Sequence, residues 1–398
     1  MPLSSRTTKT GSSWTNALVA LLLVAASAVV ALGLGEAALR LVGFSYPAFH
    51  QLDELTGSRL RARTEGWHRS EGEAFIKINS RGLRDREHTL VKPAGVYRIA
   101  VLGDSYAEAR QVEREQAFWA LLPDELAACG FQPGKKLEVL NFGVSGYGTA
   151  QEYLVLQTMA IRYSPDLVLL QFTNGNDVRN NSFALEPEKD RPFFMLGADG
   201  GLRIDESFAS SPGFRSRSSF TSEAVRRVTS SSRLLQLVRH VKENSFIPKA
   251  RAAEGVEQGL EPVVLAAPKD PLWEEAWRIT EGLIAKTGEF AKRNGARFAV
   301  VTVPYAIQVH PDPKVRAGLQ AKLGVSDLFY PDQRIASVAK KSGLTAVTLA
   351  PEMQPLAEKS GAWFHGFERS GLGRGHWNAE GHRAAARIIA RRLCEERG

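Results

Sequence analysis

Cysteine is scarce in this 398-residue chain: there are two, Cys129 and Cys394, with no CxxC pair and no Cys/His spacing of the kind that holds a metal. Both fall on amphipathic helical patterns at opposite ends of the main domain, where two buried free thiols are expected in preference to a structural disulfide. A dense basic run is also missing. Lys and Arg number 51 against 43 Asp and Glu, a net charge of +8, but the basic residues are spread along the chain and none of them track a phosphate backbone. Nucleic acid is therefore not an expected partner. No Asp/His/Cys ligand cluster is evident, which argues against metal-assisted phosphodiester or sulfate-ester chemistry, and neither a metal nor a cofactor is expected. No internal repeat is visible.

Charge is wholly absent from Thr10 to Gly35, and Ala17 to Gly35 is almost entirely apolar. That matches the ~20 residues a helix needs to cross a hydrocarbon core. Arg6 and Lys9 precede the run, so the excess of positive charge places the N-terminus in the cytoplasm and the rest of the chain beyond the membrane, periplasmic or extracellular. The expected layout is a cytoplasmic N-terminus over 1–13, a transmembrane signal anchor over 14–35, a juxtamembrane lead-in over 36–96 and a large domain over 97–398. A cleavable signal peptide is the competing reading, because Ala25 to Ala28 are small. The apolar run continues past them to Leu34, beyond the usual 7–15-residue core of such signals, and this favours the anchor. The lead-in reads as a helix end (Glu36 to Leu41) and irregular polar sequence with short extended stretches such as Phe75 to Asn79, carrying no chemistry.

From Tyr97 short apolar runs alternate with helical patterns, as in a parallel sheet with crossover helices. The strands are expected at Tyr97–Leu102, Leu137–Asn141, Asp166–Phe172, Arg297–Val303 and Leu344–Leu349. Helices are expected at Glu113–Ala128, Ala150–Arg162, Trp273–Asn294, Asp332–Ser342 and Asn378–Glu395. The fold class is thus α/β, a three-layer α/β/α sandwich on a mainly parallel five-stranded sheet. An insertion at about 185–272 follows the third strand. It joins weakly periodic Ser/Arg-rich sequence (Ser207–Ser232) to an expected exposed loop (Ala250–Pro271), and reads either as a cap over the ligand edge or as a surface excursion. Trp273 and Trp277 share a helical face, for which a core stripe is the commoner explanation than a sugar-binding surface.

Four blocks carry chemistry. Gly103-Asp104-Ser105 follows the first strand and sets a serine at a strand-to-helix turn, although for so short a motif taken alone a capped turn is the commoner explanation. Asn141 to Thr149 crowds three glycines into one loop after the second strand, where backbone N–H groups can approach a ligand, and a tight loop needing positive φ explains them equally well. Asn174-Gly175-Asn176-Asp177 follows the third strand and offers an amide donor, with Asp177 capping the next helix or fixing the loop; an Asx turn is the bland alternative. Asn180-Asn181-Ser182, a nominal glycosylation match in the same stretch, is a frequent chance event. Gly375-His376 precedes the last helix and places, of the eight histidines, the one best located for a general base. His382 is expected to pack one turn into that helix, and His365 has no assigned role.

These blocks follow successive strands and converge on one sheet edge, and in this the chain resembles the SGNH (GDSL-like) hydrolase superfamily from about Tyr97 to Glu396. The resemblance implies Ser105 as nucleophile and His376 as base. It implies an oxyanion hole of the Ser105 and Gly146 N–H groups with the Asn176 amide, and supporting places for Asp104 and Asp177. Two departures stand out. The third block has Asn174 where the family has glycine, and the last block lacks the family's aspartate near the histidine. A Ser-His dyad with the imidazole held by a backbone carbonyl is the favoured resolution, ahead of a site that has lost catalysis or an acid recruited from elsewhere, such as Glu368. The expected function is that of a serine esterase or O-acyltransferase acting outside the cytoplasm on acylated carbohydrate or small esters. The alternative is an inactive binding or scaffold protein of an envelope polysaccharide assembly.

Overall fold

Five short apolar runs form the central sheet of the computed structural model, which describes residues 11–246 and 262–396. They are β1 (Val96–Leu102), β2 (Lys136–Asn141), β3 (Leu167–Thr173), β4 (Arg297–Val303) and β5 (Thr345–Thr348). All neighbours pair in parallel, in the order β5-β4-β3-β1-β2. Every residue of β3 is buried, as parallel strands covered by helices on both faces require. One face packs on α4 (Thr149–Thr158), α8 (Pro271–Arg293) and α9 (Tyr330–Lys341) through Val155, Trp277, Ile284 and Ile335. The other packs on α3 (Phe118–Ala128) and α10 (Ala379–Glu395) through Leu122, Leu126, Ile389 and Leu393. Trp277 is fully buried, the core role expected of it. The chain leaves β1 toward β2 on one side and returns to β3 on the other. The carboxyl ends of β1 and β3 therefore flank the switch point at which open α/β sheets bind ligands.

The five expected strands are present, Arg297–Val303 at its expected bounds and the others shifted by one residue at one or both ends. The expected Glu113–Ala128 helix is interrupted. A 3₁₀ turn at Arg114–Gln116 ends at Ala117, whose extended backbone separates it from α3. Helices at Pro313–Leu323 and Ala350–Ser360 were not foreseen. The cysteines require a correction as well: Cys129 and Cys394 form a disulfide across 265 residues of sequence, with Cα atoms 6.4 Å apart. Cys129 ends α3 and Cys394 lies in the last turn of α10, and the packing of these two helices brings the thiols together.

Two compact units emerge. The larger comprises Ala48–Glu223 together with the later part of the chain, so it starts well before the expected boundary at Tyr97. Within it the lead-in forms two antiparallel hairpins, His50–Asp53 with Gly57–Leu60 and Glu65–His68 with Ala74–Lys77. Their apolar side chains Leu60, Ala74 and Ile76, with Ile78 and Leu83 beyond them, join the main core. Each strand has four residues, too few for alternation to stand out from irregular sequence. The insertion begins with a further hairpin, Phe193–Leu196 with Leu202–Asp205. The expected Ala250–Pro271 loop lies largely outside the described residues.

The smaller unit joins α1 (Gly11–Leu41) and the residues to Pro47 with Ala224 onward, which holds most of α6 (Phe220–Ser231) and all of α7 (Arg233–Phe246). The apolar stretch Trp14–Leu41 is long and apolar enough to cross a membrane. Glu36 of α1 caps α7: its carboxylate accepts from the N–H groups of Arg233 (3.0 Å) and Leu234 (3.1 Å) and from the Ser232 hydroxyl (3.1 Å).

Candidate active site

Ser105 opens α2 (Ser105–Glu108), a single helical turn directly after β1. Asp104 is its N-cap, accepting from the Tyr106 N–H at 2.9 Å, while its second oxygen accepts from the Asn176 side-chain amide at 3.1 Å. The motif's aspartate thus ties the turn after β1 to the turn after β3. At the other end of α2, Arg84 of the lead-in is fully buried. Its guanidinium donates to the carbonyls of Glu108 (2.6 Å), Ala109 (2.6 Å) and Val112 (2.5 Å). The Glu108 and Ala109 carbonyls are among the acceptors a helix C-terminus leaves unsatisfied, and that of Val112 lies in the loop beyond. Burial lowers the Arg84 pKa to about 10, which leaves it charged at neutral pH.

His376 lies on the Gly371–Trp377 strand, paired with His365–Phe367, and its Nε2 is 2.8 Å from Ser105 Oγ. The Tyr106 ring stands 5.0 Å from the imidazole, and the Tyr106 hydroxyl donates to the Gly375 carbonyl, which holds the histidine strand against α2. Asn378 caps α10 through the Gly381 N–H. His382 is buried in α10 with its pKa pushed down to about 3 by burial, accepting from the Phe118 N–H, so it packs as expected.

On its far side His376 meets a carboxylate, which corrects the dyad expectation. Glu71, in the turn of the second lead-in hairpin, places Oε2 3.0 Å and Oε1 3.1 Å from Nδ1 and accepts the His376 backbone N–H at 3.1 Å. The carboxylate that meets the imidazole comes from a segment expected to carry no chemistry, and it is not that of Glu368. Two glycines admit it. A Cβ at Gly72 would lie 2.0 Å from the Gln111 carbonyl oxygen, and one at Gly375, whose φ is +72°, would lie 2.9 Å from Glu71 Oε2. Burial pushes the Glu71 pKa up, but the hydrogen bonds and charge of His376 outweigh it and leave it below the usual carboxylate value. An ionised carboxylate only accepts hydrogen bonds. The imidazole thus presents Nδ1–H to Glu71 and leaves Nε2 free to accept from Ser105. Arg374 points elsewhere, donating to the Ser370 carbonyl.

Ser105, Gly146, Asn176 and His376 line one cleft of about 590 Å³, with Arg110, Arg179 and Arg191 and the acidic Glu186, Glu188 and Asp190 around it. The last four of these six charged residues begin the insertion, so its first part borders the cleft. Gly146 has φ +85°, and Arg191 donates to its carbonyl. Glu108 is buried behind the Ser145 turn and accepts the Ser145 N–H at 2.6 Å. Burial raises its pKa, but Arg110 and His50 more than offset this and hold it far below the ordinary range. Asp177 accepts the Thr173 N–H at 2.8 Å and so fixes its loop, as expected. Sequence reasoning missed its neighbour Glu152. Burial, then the nearby Asp177 and Asp104, push the Glu152 carboxyl well above its normal range; burial and Asp104 do the same to Asp177.

No family model matches the chain, and no curated protein matches it. Similar solved structures include LAE5, an α/β-hydrolase enzyme from the metagenome of Lake Arreo, Spain. It is 12% identical at a TM-score of 0.37, covering 76% of this chain and 96% of that one. Another is Axe2, an acetylxylan esterase from Geobacillus stearothermophilus, 12% identical at a TM-score of 0.37, covering 75% of this chain and 94% of that one. A catalytic mutant of Axe2 aligns at 12% identity and a TM-score of 0.39 over 76% of this chain and 96% of its own.

Proposed function

We propose that the chain is a serine esterase or O-acyltransferase with Ser105 as nucleophile, His376 as base and Glu71 as the acid that orients it. The observation that carries this reading is the continuous line of hydrogen bonds from Glu71 through the imidazole to Ser105 Oγ, in a cleft open to a ligand. Ser105 Oγ attacks the ester carbonyl and its proton passes to Nε2. The imidazolium that forms is stabilised by Glu71 and then protonates the departing alcohol, leaving an acyl-serine. The N–H groups of Ser105 and Gly146 and the Asn176 amide are the proposed oxyanion donors; one amide hydrogen of Asn176 is engaged by Asp104 and the second is left for the substrate. Water or an acceptor hydroxyl then attacks the acyl-serine, which is the sole difference between hydrolysis and transfer. The charged and amide side chains around the cleft suit a polar substrate such as an acylated carbohydrate.

The reaction is proposed to take place outside the cytoplasm, on a domain held to the membrane by α1. The Cys129–Cys394 disulfide supports this side of the membrane, since such bonds persist in oxidising compartments. Glu71 also removes the motive for the inactive-scaffold alternative, which rested on a missing acid.

Fluorophosphonate labelling of the detergent-purified full chain, read by intact mass, tests the serine. A single adduct is expected on wild type, none on Ser105→Ala, and a much slowed one on His376→Ala. Absence of any adduct on folded wild-type protein overturns the reading.

A further inference from the structure

Helix α7 is amphipathic in the reverse of the usual sense for a soluble protein. Its polar residues face its own unit: Gln236 is fully buried and accepts the Tyr46 N–H at 2.7 Å, Arg233 donates to Ser45 Oγ at 2.7 Å, and Arg239 donates to the Tyr46 carbonyl. The His240 ring lies 4.4 Å from that of Tyr46, tilted by 31°. The apolar residues Leu235, Val238 and Val241 face out, 40%, 65% and 53% exposed. On α6, Val225 and Val228 are likewise exposed and sit beside Arg226 and Arg227.

The position of this face follows from α1. Ala17 to Gly35 rises ~28 Å at 1.5 Å per residue, the thickness of a hydrocarbon core of ~30 Å. Glu36 is the first charged residue beyond that stretch, so it belongs at the headgroup level, and it is the residue that caps the start of α7. From there α7 follows Phe44 to Tyr46, residues that come after the membrane stretch, and so does not run back along it. An apolar stripe starting at headgroup depth, with basic residues next to it and Tyr46 alongside, has the composition of an interfacial helix.

Resting on the reading of α1 as a membrane anchor, we infer that α6 and α7 form an interfacial collar. Leu235, Val238 and Val241 dip into the acyl boundary of an anionic phospholipid leaflet, and the exposed Lys242 engages its headgroups. The partner of this surface is the bilayer, and its function is to fix the height of the chain above it.

Both native cysteines are engaged in the disulfide, so single added cysteines can be spin-labelled selectively. Val238→Cys, Val241→Cys, Leu23→Cys and Lys135→Cys, each in the full chain and checked by circular dichroism, are reconstituted in phosphatidylethanolamine/phosphatidylglycerol vesicles. Collisional relaxation with oxygen and with a water-soluble nickel chelate is then measured. The oxygen-to-nickel ratio at positions 238 and 241 is expected several-fold above that at the exposed Lys135 site and below that at position 23. Ratios at 238 and 241 equal to that at 135, with 23 in lipid, overturn the collar alone. Position 23 in water as well overturns the anchor reading itself. Shielding of 238 and 241 from both reagents overturns the lipid assignment in favour of a protein contact.

Discussion

The loops at the carboxyl edge of the sheet and the hairpins that precede the sheet contribute to the same cleft, yet they are encoded differently. Ser105, Gly146 and Asn176 each follow a buried strand, and the strand locates them. Glu71 sits in a turn between two four-residue strands, and Arg84 in an irregular stretch after them. Neither has a periodic frame, although one holds the imidazole and the other holds the helix that begins with the serine. The difference teaches that holding an imidazole needs only one correctly placed carboxylate. Any segment that packs against the histidine can supply it, whereas a nucleophile beside backbone N–H donors requires the strand-to-helix turn.

If the two regions are equal partners in catalysis, removing the acid is the largest test after the serine itself. Glu71→Gln is expected to lower kcat by ~10³–10⁴-fold with KM little changed, because the amide favours the wrong tautomer. A loss below tenfold in ester hydrolysis assays would reduce the hairpin to a structural role. Asn176→Ala, on the sheet side, is expected to cost ~10²–10³-fold in kcat by removing one oxyanion donor and freeing Asp104.

Stability sharpens the comparison. Replacing both Cys129 and Cys394 with serine is expected to cost ~2–4 kcal/mol, seen as a lower Tm and denaturant midpoint, because the closed loop spans most of the larger unit. Unchanged stability would indicate that α3 and α10 are held by packing alone. The smallest expected effect is on the acid limb of stability. The Glu71 pKa is lower in the folded protein than its unfolded value of ~4.3, so its contribution is present above that pH and is lost as pH falls through the folded value. Glu71→Gln is therefore expected to flatten the stability profile below about pH 4.3, measured by urea melts at stepped pH.

The strands were legible because parallel strands buried on both faces read as continuous apolar runs, as in Leu167–Thr173. Ser105 was legible because it directly follows such a strand, and His376 because it just precedes the last helix. Glu71 was not, since 305 residues separate it from His376 and no local pattern distinguishes it from other surface glutamates. The one available clue was negative: three glycines within Gly371–Gly375 and no acid beside the histidine. The disulfide escaped for a related reason, its partners being joined by the packing of α3 on α10 and by no motif.

The bare backbone at Gly375 gives that clue its meaning. Because a side chain there would run into the Glu71 carboxylate, positions 71 and 375 constrain one another although they lie far apart in the chain. Glycine at 375 answers two demands at once, the room that the Glu71 carboxylate takes and a φ of +72° that other residues seldom adopt, so a substitution there is expected to disturb the carboxylate–imidazole contact even where the new side chain is small.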